Sequence, residues 1–271
     1  DDRTGLYTQY LADYVEKNNL NKEKIIGAED FDSLGFLTLN GFFHCGKSKC
    51  LCAADLLNDV KDKLPNFRPL SVSAKNFQNA GSNVVQEVAF ALSMAVEYID
   101  NLTENDFNAD EVLDKIQFNF ASGSNYFMEI AKIRAARMLW AKIADSYNPQ
   151  KKESCKMHAH VETATWNMTV YDPYVNMLRA TTETMSAAIA GAESINVLPT
   201  NIAYEKPSDF SERIARNIQL ILKEEAHFDK VTDPAGGSYY IENLTDKIAE
   251  TAWKLFLEVE EHKDKLGLFE K

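Results

Sequence analysis

The segment MHAHVET, residues 157–163, contains the side chains best suited to chemistry in this sequence. Side chains of an extended strand alternate between two faces, so His158, His160 and Glu162 share one face. Two histidines and a carboxylate can hold a metal ion that activates water. Alternatively, they contact an organic substrate, with one histidine donating a hydrogen bond to a carbonyl group. A hydrogen-bonded face without a ligand is the third interpretation, and the metal is disfavoured because no other ligand cluster accompanies the strand.

Polar and apolar residues also alternate in two other predicted strands. Ser71 and Ser73 share one face of RPLSVSAKN, and Gln117 and Asn119 share one face of IQFNFASGS. Lys75 follows SVSA near the end of the first of these strands, where a barrel enzyme could place a Schiff-base lysine. A solvent-facing or salt-bridged lysine is the stronger prediction at this position.

Short strand-like segments alternate with longer helical segments along the chain, which predicts an α/β fold with a parallel sheet. Strands covered by helices on both faces are continuously apolar, whereas these strands alternate, which favours a barrel with helices outside. A complete (β/α)8 barrel needs about 250 residues. Only five strands are recognised and the helices are long, so the prediction is a partial (β/α)8 TIM-type barrel. The predicted strands are 24–30, 68–76, 116–124, 157–163 and 193–199; the predicted helices are 5–18, 51–63, 83–100, 125–146, 172–190, 208–226 and 245–262, with 35–43 irregular.

The composition limits the classes of function. The 271 residues are 45% hydrophobic and 26% charged, which is typical of a soluble globular protein. A net charge of −12 argues against binding to nucleic acid or to anionic membranes. No apolar run approaches the roughly 20 residues of a membrane helix, and the acidic start DDRTGLYTQY is unlike a signal peptide. A cytoplasmic location is predicted.

Three of the four cysteines lie in HCGKSKCLC. His44, Cys45, Cys50 and Cys52 do not have a usual zinc-finger spacing, so no metal site is predicted there. We expect a loop with small thiols leading into a helix.

Several stretches make the chain similar to the methylmalonyl-CoA mutase family over roughly residues 20–261. They are NYFMEIAKIRAARMLWAKI, the strand that contains His160, DPYVNMLRA, RIARN and DPAGGSYYIE. The segments AGAESINVLP and DPAGGSYYIE most resemble the small, or beta, subunit of heterodimeric members of this family. The resemblance implies a (β/α)8 substrate barrel followed by a cobalamin-binding domain. It also implies adenosylcobalamin-dependent radical isomerisation of methylmalonyl-CoA and succinyl-CoA in the holoenzyme.

The resemblance also implies roles for individual residues. His160 falls on a catalytic histidine that this chain retains. Four residues fall on substrate-binding positions where the family has other residues: His158 replaces Arg, Glu162 and Asp30 replace Gln, and Asn40 replaces the Arg that pairs with the substrate carboxylate. Without that Arg, the carboxylate would be poorly compensated in a dry site.

Two further family positions that face the cofactor are also substituted, by Glu193 and Asn196. The cobalt-ligating pattern D-x-H-x-x-G does not occur in the sequence. We therefore expect a single domain, 1–271, covering about strands four to eight of the barrel, with the cobalamin-binding domain absent and no adenosylcobalamin bound to this part of the protein.

These implications predict a small, non-catalytic subunit that pairs with a large, or alpha, mutase subunit. The retained His160 leaves acyl-CoA binding open. Two alternatives are a catalytically competent acyl-CoA mutase subunit with altered acyl specificity and a metal-dependent barrel hydrolase using His158, His160 and Glu162. Open sheet edges recruit partners, so self-association is also expected.

Overall fold

A computed structural model describes residues 6–43 and 51–262, which contain a five-stranded parallel sheet in the order β1-β2-β3-β4-β5. Each strand is hydrogen-bonded to the next strand in sequence, and the sheet curls into about half of a barrel. The predicted α/β class and partial TIM-type barrel are confirmed. The strands are β1 Gly27–Phe31, β2 Phe67–Val72, β3 Ile116–Ser122, β4 Ala159–Thr163 and β5 Ser194–Asn196.

Long helices connect successive strands, as the parallel order requires. In the described residues the α-helices are α1 Leu6–Lys17, α2 Ser33–Asn40, α3 Leu51–Lys61, α4 Lys75–Asn79, α5 Val84–Thr103, α6 Ala109–Leu113, α7 Tyr126–Ser146, α8 Val175–Ile189, α9 Asp209–Leu220 and α10 Tyr239–Glu261. A π-helical turn, Ile221–Glu225, extends α9.

The prediction of an irregular segment at 35–43 was wrong, because α2 forms there. The Asp32 side chain accepts a hydrogen bond from the Gly35 amide and so caps the helix. Gly41 ends the helix with φ +78°, a conformation that glycine adopts without steric cost. The apolar run in α2 has no helical period, which is why the sequence did not reveal it.

The core lies between the outer face of the sheet and the helices. Phe118 on β3 and Trp140 on α7 are almost fully buried, and their rings meet edge to face with centroids 4.7 Å apart. Burying an aromatic side chain of this kind contributes about 1.5–3 kcal/mol. Leu70 and Val72 on β2 are also completely buried. The outer face is therefore apolar, and the polar side chains of the strands are left for the inner face.

No helix among residues 6–43 and 51–262 is long and apolar enough to cross a membrane. The predicted loop at His44, Cys45 and Cys50 lies outside the described residues, as does the side chain of Cys52. Cys155 is a free, partly exposed thiol.

Candidate functional site

The inner face of the sheet encloses a half-open cavity of about 590 Å³. Every strand contributes to its wall, and most of the lining side chains are polar. The lining residues are Ile26, Gly27, Ala28, Asp30, Arg68, Lys75, Gln117, Asn119, His158, His160, Glu162, Glu193, Ser194 and Asn196.

Strand β4 places its polar stripe in this cavity, as the alternation predicted. His158, His160 and Glu162 line the wall, while Ala159 and Val161 are 1% exposed on the opposite face. The parallel register sets His160 beside Asn119 of β3 and Ser194 of β5. The residues of one cavity layer therefore come from three adjacent strands.

Asp30 is the most heavily bonded acid of the cavity. Its Oδ1 atom accepts hydrogen bonds from Ser71 Oγ at 2.8 Å, Ser73 Oγ at 2.8 Å and Asn119 Nδ2 at 2.7 Å. Its Oδ2 atom lies 3.1 Å from Lys75 Nζ. Burial alone would raise the pKa of Asp30, but the Lys75 charge and the hydroxyl donors outweigh it and lower the pKa. Asp30 is therefore a carboxylate at neutral pH.

Lys75 lies between two acids, which confirms the prediction of a salt-bridged lysine. Its Nζ atom is 3.1 Å from Asp30 Oδ2 and 3.5 Å from Glu162 Oε1. Burial would lower the pKa of Lys75, but the two carboxylates raise it above its ordinary value. The ammonium is thus held protonated, which disfavours a Schiff-base nucleophile.

Both cavity histidines are neutral near pH 7. Burial, together with the Arg68 charge, lowers the pKa of His158 to about 4. Burial and the Lys75 charge also lower the pKa of His160, whose Nδ1 atom lies 2.7 Å from Ser194 Oγ. A neutral histidine in this position can donate or accept a hydrogen bond with a ligand.

The metal interpretation of β4 has no support from the geometry. Among residues 6–43 and 51–262, no group of three or more His, Cys, Asp or Glu residues could hold a metal ion. Glu162 instead contacts Lys75 and accepts a hydrogen bond from Asn196 Nδ2 at 2.8 Å. His158 contacts Arg68. These side chains are engaged with protein groups rather than arranged around a cation.

The other predicted site residues occupy different surroundings. Asn40 lies at the exposed end of α2, donates to the Phe36 carbonyl at 2.9 Å, and does not line the cavity. Glu193 lines the cavity, pairs with Arg137 at 2.8 Å and accepts a hydrogen bond from the Ala159 amide at 2.7 Å. The structure thus brings Asp30, Glu193 and Asn196 to the site but leaves Asn40 outside it.

Sequence reasoning missed Arg68, whose Nη2 atom donates to His158 Nε2 at 2.7 Å. Strict alternation along β2 would place Arg68 on the same face as Leu70 and Val72. Arg68 nevertheless lines the cavity. It lies beside the point at which the register of β1 against β2 shifts, between Ala28 and Phe31. The proline that follows Arg68 was the available signal, because proline interrupts regular strand pairing.

Comparison with known proteins is consistent with this architecture. The model of the methylmalonyl-CoA mutase family matches residues 5–265. The methylmalonyl-CoA mutase small subunit of Porphyromonas gingivalis is 50% identical over 249 residues, which are 92% of this chain and 40% of that protein. The large subunit from the same organism is 35% identical over 261 residues, 95% of this chain and 36% of that protein.

A methylmalonyl-CoA mutase from Rhizobium meliloti is 37% identical over 260 residues, covering 94% of this chain and 36% of that protein. The chain therefore spans less than half the length of each of these three relatives.

Proposed function

The chain belongs to the methylmalonyl-CoA mutase family, and from this membership we propose that it forms the substrate-barrel part of a small, non-catalytic mutase subunit. Its greater identity to the small subunit of Porphyromonas gingivalis, 50% against 35% for the large subunit, supports this assignment. The isomerisation of methylmalonyl-CoA and succinyl-CoA then takes place in a large subunit.

The ion pairs of Lys75 are the observation on which the proposal rests. Lys75, the one lysine that lines the cavity among the described residues, is shared between Asp30 and Glu162, at 3.1 and 3.5 Å. Asp30 also accepts three hydrogen bonds from the chain itself. A substrate carboxylate at this point would meet a second carboxylate rather than a free cation, and like charges in a partly buried site repel strongly.

The residue at the position of the family's substrate-binding arginine does not supply a positive charge for the substrate carboxylate. Asn40 is neutral and lies on the exposed end of α2, outside the cavity wall. The substrate carboxylate therefore lacks its expected cationic partner at this position. This supports the proposal that the chain has the barrel fold but lacks the substrate contacts of the large subunit.

The contacts of the residues at the two cofactor positions support a barrel that does not itself bind adenosylcobalamin. Glu193 is engaged by Arg137 and the Ala159 amide, and Asn196 donates to Glu162. The chain's own polar contacts thus occupy both positions. We therefore assign adenosylcobalamin to the large subunit, which is also the proposed partner.

The test is an assay of the complete protein with methylmalonyl-CoA and adenosylcobalamin, with and without a large subunit. We expect no turnover by the protein alone and turnover by the mixture. Turnover by the protein alone would overturn the non-catalytic role.

The open cavity favours a second candidate, a subunit that binds an acyl-CoA with a different acyl group. About 590 Å³ of space remains beside His160, whose neutral ring can hydrogen-bond a carbonyl. Acyl-CoA binding that is lost in His160→Ala and kept in His262→Ala, a change at an exposed histidine, would favour this candidate. Equal binding by both variants would count against it.

A further inference from the structure

The cavity has a second polar end, at the amino-terminal ends of the strands. Arg68 is the second residue of β2 and pairs in register with Ala28, the second residue of β1. His158 immediately precedes β4. In contrast, Lys75, Glu162 and Asn196 lie near or beyond the carboxyl ends of their strands, the end at which barrel enzymes hold their substrates. The end of the cavity that contains Arg68 is therefore separate from the end that contains Asp30 and Lys75.

The contact between Arg68 and His158 fixes the proton on the histidine ring. A guanidinium only donates hydrogen bonds, so His158 Nε2 accepts from Arg68 Nη2 at 2.7 Å. The neutral ring must then carry its proton on Nδ1. The histidine ring therefore has a second donor, Nδ1, and as a neutral group it does not compensate the positive charge of Arg68.

No carboxylate pairs with Arg68 within residues 6–43 and 51–262, and its Nε atom is buried there without a hydrogen-bond partner. The Nε atoms of Arg134 and Arg137 are also buried without a partner, but their guanidinium groups pair with carboxylates: Arg134 with Asp233 and Glu242, and Arg137 with Glu193.

Burial lowers the pKa of Arg68, and the charges of two acids, Asp114 and Glu193, only partly oppose that shift. Neither acid is hydrogen-bonded to Arg68 in the described part of the chain, and Glu193 is engaged by Arg137 and the Ala159 amide. Arg68 is thus a half-buried cation with unused donors on a cavity wall.

We propose that Arg68 and His158 form a binding site for a small oxyanion, a carboxylate or phosphate group, at the amino-terminal end of the cavity. The planar guanidinium matches two oxygen atoms of such a group. Pairing would compensate a charge that the protein holds partly out of water. The site goes beyond the proposed subunit role, since it requires neither mutase turnover nor a partner.

The test is calorimetric titration of the protein with inorganic phosphate and, separately, with acetate, against chloride at equal ionic strength. We expect saturable binding of at least one oxyanion. Arg68→Gln should weaken it by at least about tenfold, the factor lost with one charge-assisted hydrogen bond. Arg68→Lys should bind at an intermediate level, and Arg216→Gln, at an exposed arginine of α9, should bind as the unchanged protein does. Binding of phosphate alone would identify a phosphate ligand, and binding of acetate alone a carboxylate.

A second readout needs no substitution. An anion beside Arg68 screens its charge, so it should raise the pKa of His158 in an NMR titration of the unchanged protein. Absence of saturable binding, binding that survives Arg68→Gln, or an unmoved His158 titration would each overturn the proposal. Because no turnover is measured, failure here leaves the subunit assignment standing, and the reverse also holds.

Discussion

The carboxylate of Asp30 on β1 and the ammonium of Lys75, which follows β2, lie 3.1 Å apart on the cavity wall. This pair joins two adjacent strands and is extended by Glu162 on β4. The cavity therefore contains a charge network of its own at the end of the strands where a barrel enzyme holds its substrate.

Removal of the Lys75 charge should shift the titration of Asp30. In Lys75→Met, burial and the neighbouring Glu162 carboxylate are no longer opposed by an ammonium, so the pKa of Asp30 should rise. NMR titration of the Asp30 carboxyl measures the shift. Lys247→Met, at an exposed lysine of α10, is the matched control and should leave Asp30 unchanged. An unmoved Asp30 in Lys75→Met would show that the pair is not formed in solution.

The fully buried Lys132 should be essential for stability. Its Nζ atom lies 2.7 Å from Glu87 and 2.5 Å from Glu129, and it donates to the Ala121 carbonyl at 2.5 Å. Lys132→Met leaves two buried carboxylates without a cation, which costs about 3–5 kcal/mol of unfolding free energy. Denaturant unfolding measures the loss, and Lys254→Met at an exposed lysine is the control. A loss no greater than that of the control would contradict the buried network.

Glu183 should make stability depend on pH. It is 2% exposed, and burial raises its pKa to about 7 from an ordinary 4.5. A raised carboxyl pKa contributes stability that is fully present below pH 4.5 and is lost as the pH rises through 7. Glu183→Gln should therefore remove a decline of about 1–3 kcal/mol between about pH 5 and pH 8.

The control for Glu183 is Glu258→Gln, at an exposed position of α10. It should keep the decline, because the buried Glu183 still titrates. The difference between the two variants isolates Glu183 from other buried acids such as Asp32, whose pKa burial raises to about 6. Parallel pH profiles for the two variants would be inconsistent with a buried, protonated Glu183.

Self-association of this chain remains a prediction. Strands β1 and β5 are the outer strands of the described sheet, and unpaired strand edges attract other chains. Solution scattering of the isolated 271-residue chain should show a species larger than the monomer. A strictly monomeric species across the concentration range would contradict the expectation.

The sequence predicted the features that depend on local periodicity. The two-residue period of MHAHVET placed His158, His160 and Glu162 on the cavity wall correctly. The grouping of Ser71, Ser73 and Asn119 around Asp30 was not predicted, because it depends on which strands are neighbours. Periodicity along one strand contains no information on strand order.

Two other differences have local causes. Helix α2 was missed because its apolar residues lack a helical period, although Asp32 and Gly41 mark its two ends. Helix α10 begins at Tyr239, earlier than the predicted start at 245, because the glycines of DPAGGSYY obscure where the helix begins. Only its first part is a turn, in which Gly237 has φ +82°.

We propose that this barrel supports a mutase without performing the reaction, and turnover of methylmalonyl-CoA is the decisive measurement. The complete protein is assayed with adenosylcobalamin, first alone and then with a large subunit. We expect succinyl-CoA formation only when the large subunit is present. Succinyl-CoA formation by the protein alone would contradict this expectation.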